Sequence, residues 1–513
     1  MHRIAAAAVV VTLAAVSALA ATPSSWGPLE PGPYAVGYRV IDRYDYTRPF
    51  RSPRDLDGQP RRGERARPMR ISVWYPAQAT SAPAMTLGDY IDGMGAENRI
   101  VPIEEAQKRA GRAALYRFQF LRGATPEQRA KLEALATMAH RDAPAASGRF
   151  PLILYSLGSA APACVTAEYL ASHGYVVMQM PRLGEFAGMP DDHPADTDTK
   201  VRDTEFLLQG AHDIPAADAA NIGAIGFSAG GRWALSEAMR NVDVHAVVSL
   251  DSVMLFNDAT GRNWRALPFY DLGTVRAPVL HMVRRAFVAQ QDEGVWNGLR
   301  HADRTMWVFE DPKLDHFDFQ SIGYATTLVG MRADAAQGVA DTFALFNQRT
   351  LAFLDAHLKN DAHAAEALSA PLPQFVTAST AAGTPAPPTL MDVMSAIADG
   401  GVDPAIRMAR RLAEAGEGSA LPEPVLNLAG YNLLGSGQTD DAIKMFALNL
   451  DTHPQSANAY DSLADAYAAA GQKEKAAELA RKALALLDAD KEMTPDRKQA
   501  ILQSIQQKLG PAQ

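Results

Sequence analysis

The sequence predicts an α/β protein, a mostly parallel sheet flanked by helices, followed by a separate all-α region. Three observations carry that prediction. Between about residues 65 and 360, short runs rich in Val, Ile and Leu alternate with stretches of helical periodicity, the pattern of strands buried on both faces. At 221–239 an apolar run passes through Gly226-Phe227-Ser228-Ala229-Gly230 into an amphipathic, Ala-rich run, which reads as strand, sharp turn and helix. Within 391–513, small and aromatic residues recur at an offset of 34.

At 513 residues the chain is too long for one ordinary core, and 47% hydrophobic with 21% charged residues is a globular composition. The net charge is −9 and no dense Lys/Arg stripe occurs, so nucleic acid is not an expected partner. Met1-His2-Arg3 followed by an Ala, Val and Leu run at 4–19 has the layout of a secretory signal peptide. Ala18-Leu19-Ala20 supplies the small residues for cleavage before Ala21. The expected fate is export, periplasmic or secreted, with no integral membrane span after cleavage; an uncleaved anchor is the alternative. The single cysteine, Cys164, rules out an intramolecular disulfide and reads as a small buried residue on a helix at 161–173.

After the leader (1–20), residues 21–370 read as the catalytic-type α/β domain. It opens with an irregular Pro/Gly/Arg-rich stretch to Pro68, then a half-buried strand at 70–76. A helical insertion spans 77–149, with helices at 103–120 and 126–140; it reads as a lid, a pocket wall or surface packing. Strand 150–156 leads into Leu157-Gly158-Ser159 and a helix to Gly174. Strand 175–180, a helix at 200–209 and the strand-turn-helix at 221–239 follow. Further strands fall at 244–250, 278–283 and 305–309, and a helix at 341–358. In sheets of this kind, function collects at the carboxyl ends of the strands.

A serine hydroxyl attacks well when a tight strand-to-helix turn holds it clear of the sheet, and Gly226 and Gly230 remove the Cβ atoms that would block such a turn. The helix start aims backbone N–H groups at a developing oxyanion. Ser228 is therefore the candidate nucleophile, and it needs a base and a group that orients the base. In α/β-hydrolases these follow the serine in the order acid, histidine. His316, in Asp315-His316-Phe317-Asp318-Phe319, follows the last expected strand in a loop and is the candidate base. His245 and His281 fall within strands and read as core or neighbouring residues; His301 and His357 lie in helical stretches. Asp251 closes the strand 244–250 and is favoured as the acid over Asp292, which lies beyond an ill-defined segment at 284–287. Asp315 and Asp318 read as solvated or loop-capping. Asp191-Asp192-His193 and Asp196 sit in a Pro-containing stretch and read as solvated, so no metal and no cofactor are expected.

The order of segments over roughly 65–360 resembles the α/β-hydrolases of the platelet-activating-factor acetylhydrolase and dienelactone-hydrolase group. The matching pieces are Val73-Trp74-Tyr75-Pro76, the strand 150–156, Leu170-Ala171-Ser172-His173-Gly174-Tyr175, the elbow, Leu250-Asp251 and His316-Phe317-Asp318-Phe319. The resemblance implies an acid in the Leu-Asp pair, again Asp251. With Ser228 as nucleophile, it points to the esterase side of the group. It also implies that the oxyanion donors are the backbone N–H groups of Ser159 and Ala229. Where the family commonly has Ser-His-Gly, this chain has Ser156-Leu157-Gly158.

Residues 371–390, rich in Pro, Ala and Thr, read as a linker. Beyond it, the 34-residue offset aligns Leu426 with Tyr460, Leu433 with Tyr467, Gly437-Gln438 with Gly471-Gln472, and Ala442 with Ala476. These positions, with Phe446, Pro454, Leu463, Ala464 and Ala483, resemble tetratricopeptide repeats, with flanking helices at 391–415 and 495–509 completing the stack. The resemblance implies a possible protein partner. The whole reads as an exported serine hydrolase of small carboxylic esters. An amidase or peptidase on the same residues, or a non-catalytic scaffold whose repeats bind a partner, are the alternatives.

Overall fold

The structure is a computed structural model that describes residues 24–50, 65–97, 100–156, 158–181, 183–184, 194–214, 216–386, 395–396, 401–414, 422–487 and 494–509. The expected leader, Leu157, Asp191-Asp192-His193 and the Asp196 side chain lie outside these residues. The chain divides into two compact units between Thr384 and Pro385.

In the first unit the described strands are β1 (Ala35–Phe50), β2 (Arg65–Ala77), β3 (Ala139–Arg141), β4 (Phe150–Ser156), β5 (Val176–Gln179), β6 (Ala217–Phe227), β7 (Val244–Leu250), β8 (Val279–Arg284), β9 (Arg304–Phe309) and β10 (Val376–Ala381). They form one sheet in the order β10-β9-β8-β7-β6-β4-β5-β2-β1-β3. The block from β5 through β4, β6, β7 and β8 to β9 is parallel. β2 joins β5 antiparallel, β1 joins β2 antiparallel and β10 joins β9 antiparallel. The expected architecture, a mostly parallel sheet flanked by helices, is thus the one observed.

Side chains alternate across the parallel strands, so each strand feeds two cores. Leu152 and Leu154 of β4 join Val176, Met178, Ile222 and Ala224 beneath the helices Pro194–Ala211 and Gly230–Arg240. Ile153 and Tyr155 join Val177, Ile225 and Val248 beneath Ala160–Ser172, Ser321–Leu328 and Ala336–Leu358. Burial on both faces is why these strands read in sequence as continuous apolar runs.

The N-terminal stretch expected to be irregular instead forms β1, a 16-residue strand. Its charges and prolines hid it, yet each charge is placed: Arg70 pairs with Asp42 at 2.7 Å, and Asp45 accepts from Arg48 at 2.6 Å. The helix expected at 126–140 stops at Glu133, and Ala139–Arg141 turns into β3, parallel to β1. Part of the expected linker is β10, whose Val376, Thr377 and Thr380 are β-formers masked by a Pro/Ala/Thr composition. An insertion helix at Leu87–Met94, capped by Thr86, was also not expected.

Glu168 ties the insertion to the sheet. From the helix Ala160–Ser172, its buried carboxyl accepts hydrogen bonds from Trp26 Nε1 (3.0 Å), Tyr90 OH (2.7 Å) and the Met138 N–H (2.8 Å). Glu168→Leu strands three buried donors at a cost of about 1–3 kcal/mol each, offset by the relief of burying a carboxyl. Urea unfolding of the variant is therefore expected to show a net loss of about 3 kcal/mol against the parent chain.

The second unit contains helices at Val402–Glu414, Glu423–Gly435, Thr439–Thr452, Ala457–Ala469, Lys473–Leu487 and Pro495–Leu509. The starts at Glu423 and Thr439 recur 34 residues later at Ala457 and Lys473. The turn glycines Gly437 (φ 79°) and Gly471 (φ 74°) take the same left-handed conformation. Leu426, Ala429, Ala442, Met445 and Phe446 form the buried contact of the first hairpin.

Candidate active site

Three loops at the carboxyl edge of the parallel block build the site. At the end of β6, Ser228 stands at φ 55°. That conformation costs a non-glycine residue about 1–3 kcal/mol and persists only where the surroundings enforce it. Here the Ser228 N–H donates to the Leu250 carbonyl at 3.1 Å, and the Ser228 carbonyl accepts from the Val253 and Gly231 N–H groups, both at 3.2 Å. A Cβ on Gly226 would lie 2.2 Å from the Gly230 carbonyl oxygen, and one on Gly230 would lie 1.8 Å from that of Ser156. Both glycines are therefore steric requirements of the elbow, and the end of β4 presses directly against it.

At the end of β7, Asp251 is fully buried, also at positive φ (38°), with its N–H donating to the Met282 carbonyl at 2.7 Å. Its carboxylate is held by three donors. Oδ1 accepts the Arg284 N–H at 2.9 Å; Oδ2 accepts Arg284 Nε at 2.7 Å and His316 Nδ1 at 2.7 Å. A carboxylate can only accept, so Nδ1 carries the hydrogen, and in the neutral ring the lone pair stands on Nε2, the tautomer a general base needs. Arg284 is the residue that the sequence reasoning passed over. It ends β8, the strand beside β7, and also donates to the Leu314 carbonyl at 3.2 Å, just ahead of the histidine loop. An arginine closing the strand next to the acid was the available signal.

His316 opens a 3-10 turn, His316–Phe319, whose start is fixed from both sides: Asp315 accepts from the Phe317 N–H and Asp318 accepts from the Asp315 N–H. Asp318 is buried and paired with Arg332, and desolvation raises its pKa. The imidazole lies against Phe227, the residue before Ser228, with centroids 4.4 Å apart and planes at 29°. Phe287 and Phe317 close around it at 5.3 and 5.4 Å.

The other candidates are engaged elsewhere. Asp292 caps the helix Glu293–Gly298 and pairs with Arg265 at 2.8 Å. His281 is buried, bonded to Ser249 Oγ at 2.9 Å, and desolvation pushes its pKa down to about 4. His245, expected among core or neighbouring residues, is exposed beside Asn221, because a bulge between Val244 and Ala246 leaves it out of the strand register. His301 meets the Thr384 carbonyl, and His357 packs on Phe353. Cys164 is buried and donates to the Ala161 carbonyl, and desolvation raises its thiol pKa.

Ser159 and Ala229 each stand immediately before the first residue of a helix, Ala160–Ser172 and Gly230–Arg240, where backbone N–H groups have no intrahelical partner. The insertion reaches this region at two places. Phe120 stacks on Phe317 at 4.1 Å with Phe118 alongside at 5.8 Å, and Glu97 accepts a hydrogen bond from Ser159 Oγ at 2.6 Å. Among the described residues, no group of His, Cys, Asp and Glu side chains is arranged to hold a metal ion. No described helix is long and apolar enough to cross a membrane.

No family model matches the chain, and no curated protein matches its sequence. Among solved structures, the chain is similar to a ferulic acid esterase from Streptomyces cinnamoneus, with 18% identity and a TM-score of 0.46, covering 67% of this chain and 96% of that one.

Proposed function

We propose that the chain is an exported serine hydrolase that cleaves small carboxylic esters through an acyl-enzyme on Ser228. The observation that carries the reading is the 2.7 Å bond from His316 Nδ1 to the buried Asp251 carboxylate, at the sheet edge where Ser228 is held at positive φ. In this reading His316 Nε2 takes the Ser228 hydroxyl proton as the oxygen attacks the acyl carbon, and returns it to the departing alkoxide. Asp251, itself clamped by Arg284, orients the imidazole and stabilises its cation. The Ser159 and Ala229 N–H groups receive the developing oxyanion. Water, deprotonated by the same imidazole, then releases the acid. The helical second unit, a tetratricopeptide-type repeat in this reading, takes a protein partner, and residues 1–20 direct export and are removed.

The test is hydrolysis of p-nitrophenyl esters of graded acyl length by the purified mature chain, with Ser228→Ala as control. Turnover of the short esters that is lost in the variant supports the reading. Turnover of peptide amides without ester turnover replaces it by an amidase, and neither activity in a folded chain leaves the repeats as the working part.

A further inference from the structure

The helix Ala160–Ser172, whose start carries one oxyanion donor, is not capped by its own N-cap residue: the Ser159 side chain accepts no bond from the helix. That side chain instead donates to a carboxyl 62 residues upstream. Glu97, just after the insertion helix Leu87–Met94, accepts from Ser159 Oγ at 2.6 Å. The residue that carries the backbone donor is thus held by its own side chain, and the helix start at Ala160 favours the charged carboxyl electrostatically. Glu97 is itself anchored, because the preceding Ala96 carbonyl accepts from Arg70 of β2.

We propose that Glu97 is a positioning residue for the oxyanion loop: through Ser159 Oγ, the insertion sets the direction of the Ser159 backbone donor. This rests on the hydrolase reading above. The insertion then takes part in the site itself, since one of the two oxyanion donors depends on it.

The charge state of Glu97 matters for the same geometry. Among the described residues, the charged and titratable groups around it include Arg70 of β2, Lys200 of the helix Pro194–Ala211 and the Tyr38 hydroxyl of β1. Desolvation outweighs both cations and the helix start, and pushes its pKa up to about 8. Below that pH the carboxyl is neutral; above it, a negative charge stands beside the place where the substrate oxygen becomes negative. Repulsion there raises the barrier, so activity falls as pH rises through about 8.

The experiment measures kcat and KM for a short p-nitrophenyl ester from about pH 6 to about pH 9.5 in the full mature chain, E97Q, E97A and S159A. E97A and S159A, which keep the Ser159 backbone N–H but release it, are expected to lose kcat by about 10- to 100-fold with KM changed less than about twofold. E97Q, which can accept the Ser159 bond, is expected to stay within about threefold of the parent at pH 7. It should also escape the alkaline fall, so the parent-to-E97Q ratio drops by about tenfold across the range. S159A keeps the test open if E97A does not fold. Parent-like kcat in folded E97A or S159A, or a flat parent-to-E97Q ratio, overturns the proposal. Absence of ester turnover in the parent chain sinks the hydrolase reading instead, so the two failures are distinct.

Discussion

His316→Ala is expected to lower kcat for ester hydrolysis by about 10⁶-fold, the scale seen when a triad base is removed, while the protein stays folded. Among the described residues, the imidazole is the only titratable side chain bonded to Asp251, apart from the arginine that clamps it. In the proposed mechanism its loss takes away the group that accepts the Ser228 proton. The turn that carries it does not depend on the ring: Asp315 and Asp318 cap the turn, and Arg332 holds Asp318. The ring is about a quarter exposed, at 23%, so the cavity left behind is open to water. Kinetics and a urea unfolding curve on the same preparation check both halves of this expectation, and a loss of activity with an unchanged midpoint is the predicted pair.

Asp251→Asn is expected to cost about 10⁴ in kcat, the scale of a triad acid replaced by its amide. The cause is the donor count. Asp251 accepts from Arg284 N, Arg284 Nε and His316 Nδ1, and an amide cannot accept all three. If the amide oxygen stays on the Arg284 backbone N–H, the NH₂ group faces both the guanidinium and the imidazole. His316 then relieves the clash by carrying its hydrogen on Nε2, and that tautomer cannot take the serine proton. Arg284 meanwhile loses its anionic partner in a site where the acid is fully buried. Because base and acid act as one unit, Asp251→Asn placed on His316→Ala is expected to reduce kcat by less than about threefold further, measured as a double-mutant cycle.

Much of the fold was legible because the strands that position the site are buried on both faces and therefore apolar throughout. β4 and β7 begin and end where their hydrophobic runs do. β1 and β10 were not legible, for a common reason. β10 is an edge strand and β1 has β3 beside it only at Val36–Tyr38, so β1 carries Arg, Asp and Pro and β10 carries Thr and Ser on open positions, and the pairing of each is decided by a partner strand distant in sequence. The capping turn around His316 and the glycines of the elbow are local chemistry, so residues a few positions apart announced them. Arg284 and Glu97 were not announced, because their roles exist only across the sheet edge. Arg284 reaches Asp251 33 residues back, and Glu97 meets Ser159 62 residues on. The 34-residue offset in the second unit was readable because each helical hairpin is a local unit, and helices at Glu423, Thr439, Ala457 and Lys473 begin in register with it.

The most direct measurement is reaction of the purified mature chain with a fluorophosphonate, followed by mass spectrometry of the adduct, alongside Ser228→Ala and His316→Ala. The probe reads an activated serine without a guessed substrate. One adduct is expected, on Ser228, absent in both variants. An unlabelled but folded parent chain, or an adduct on another serine that persists in Ser228→Ala, would contradict it.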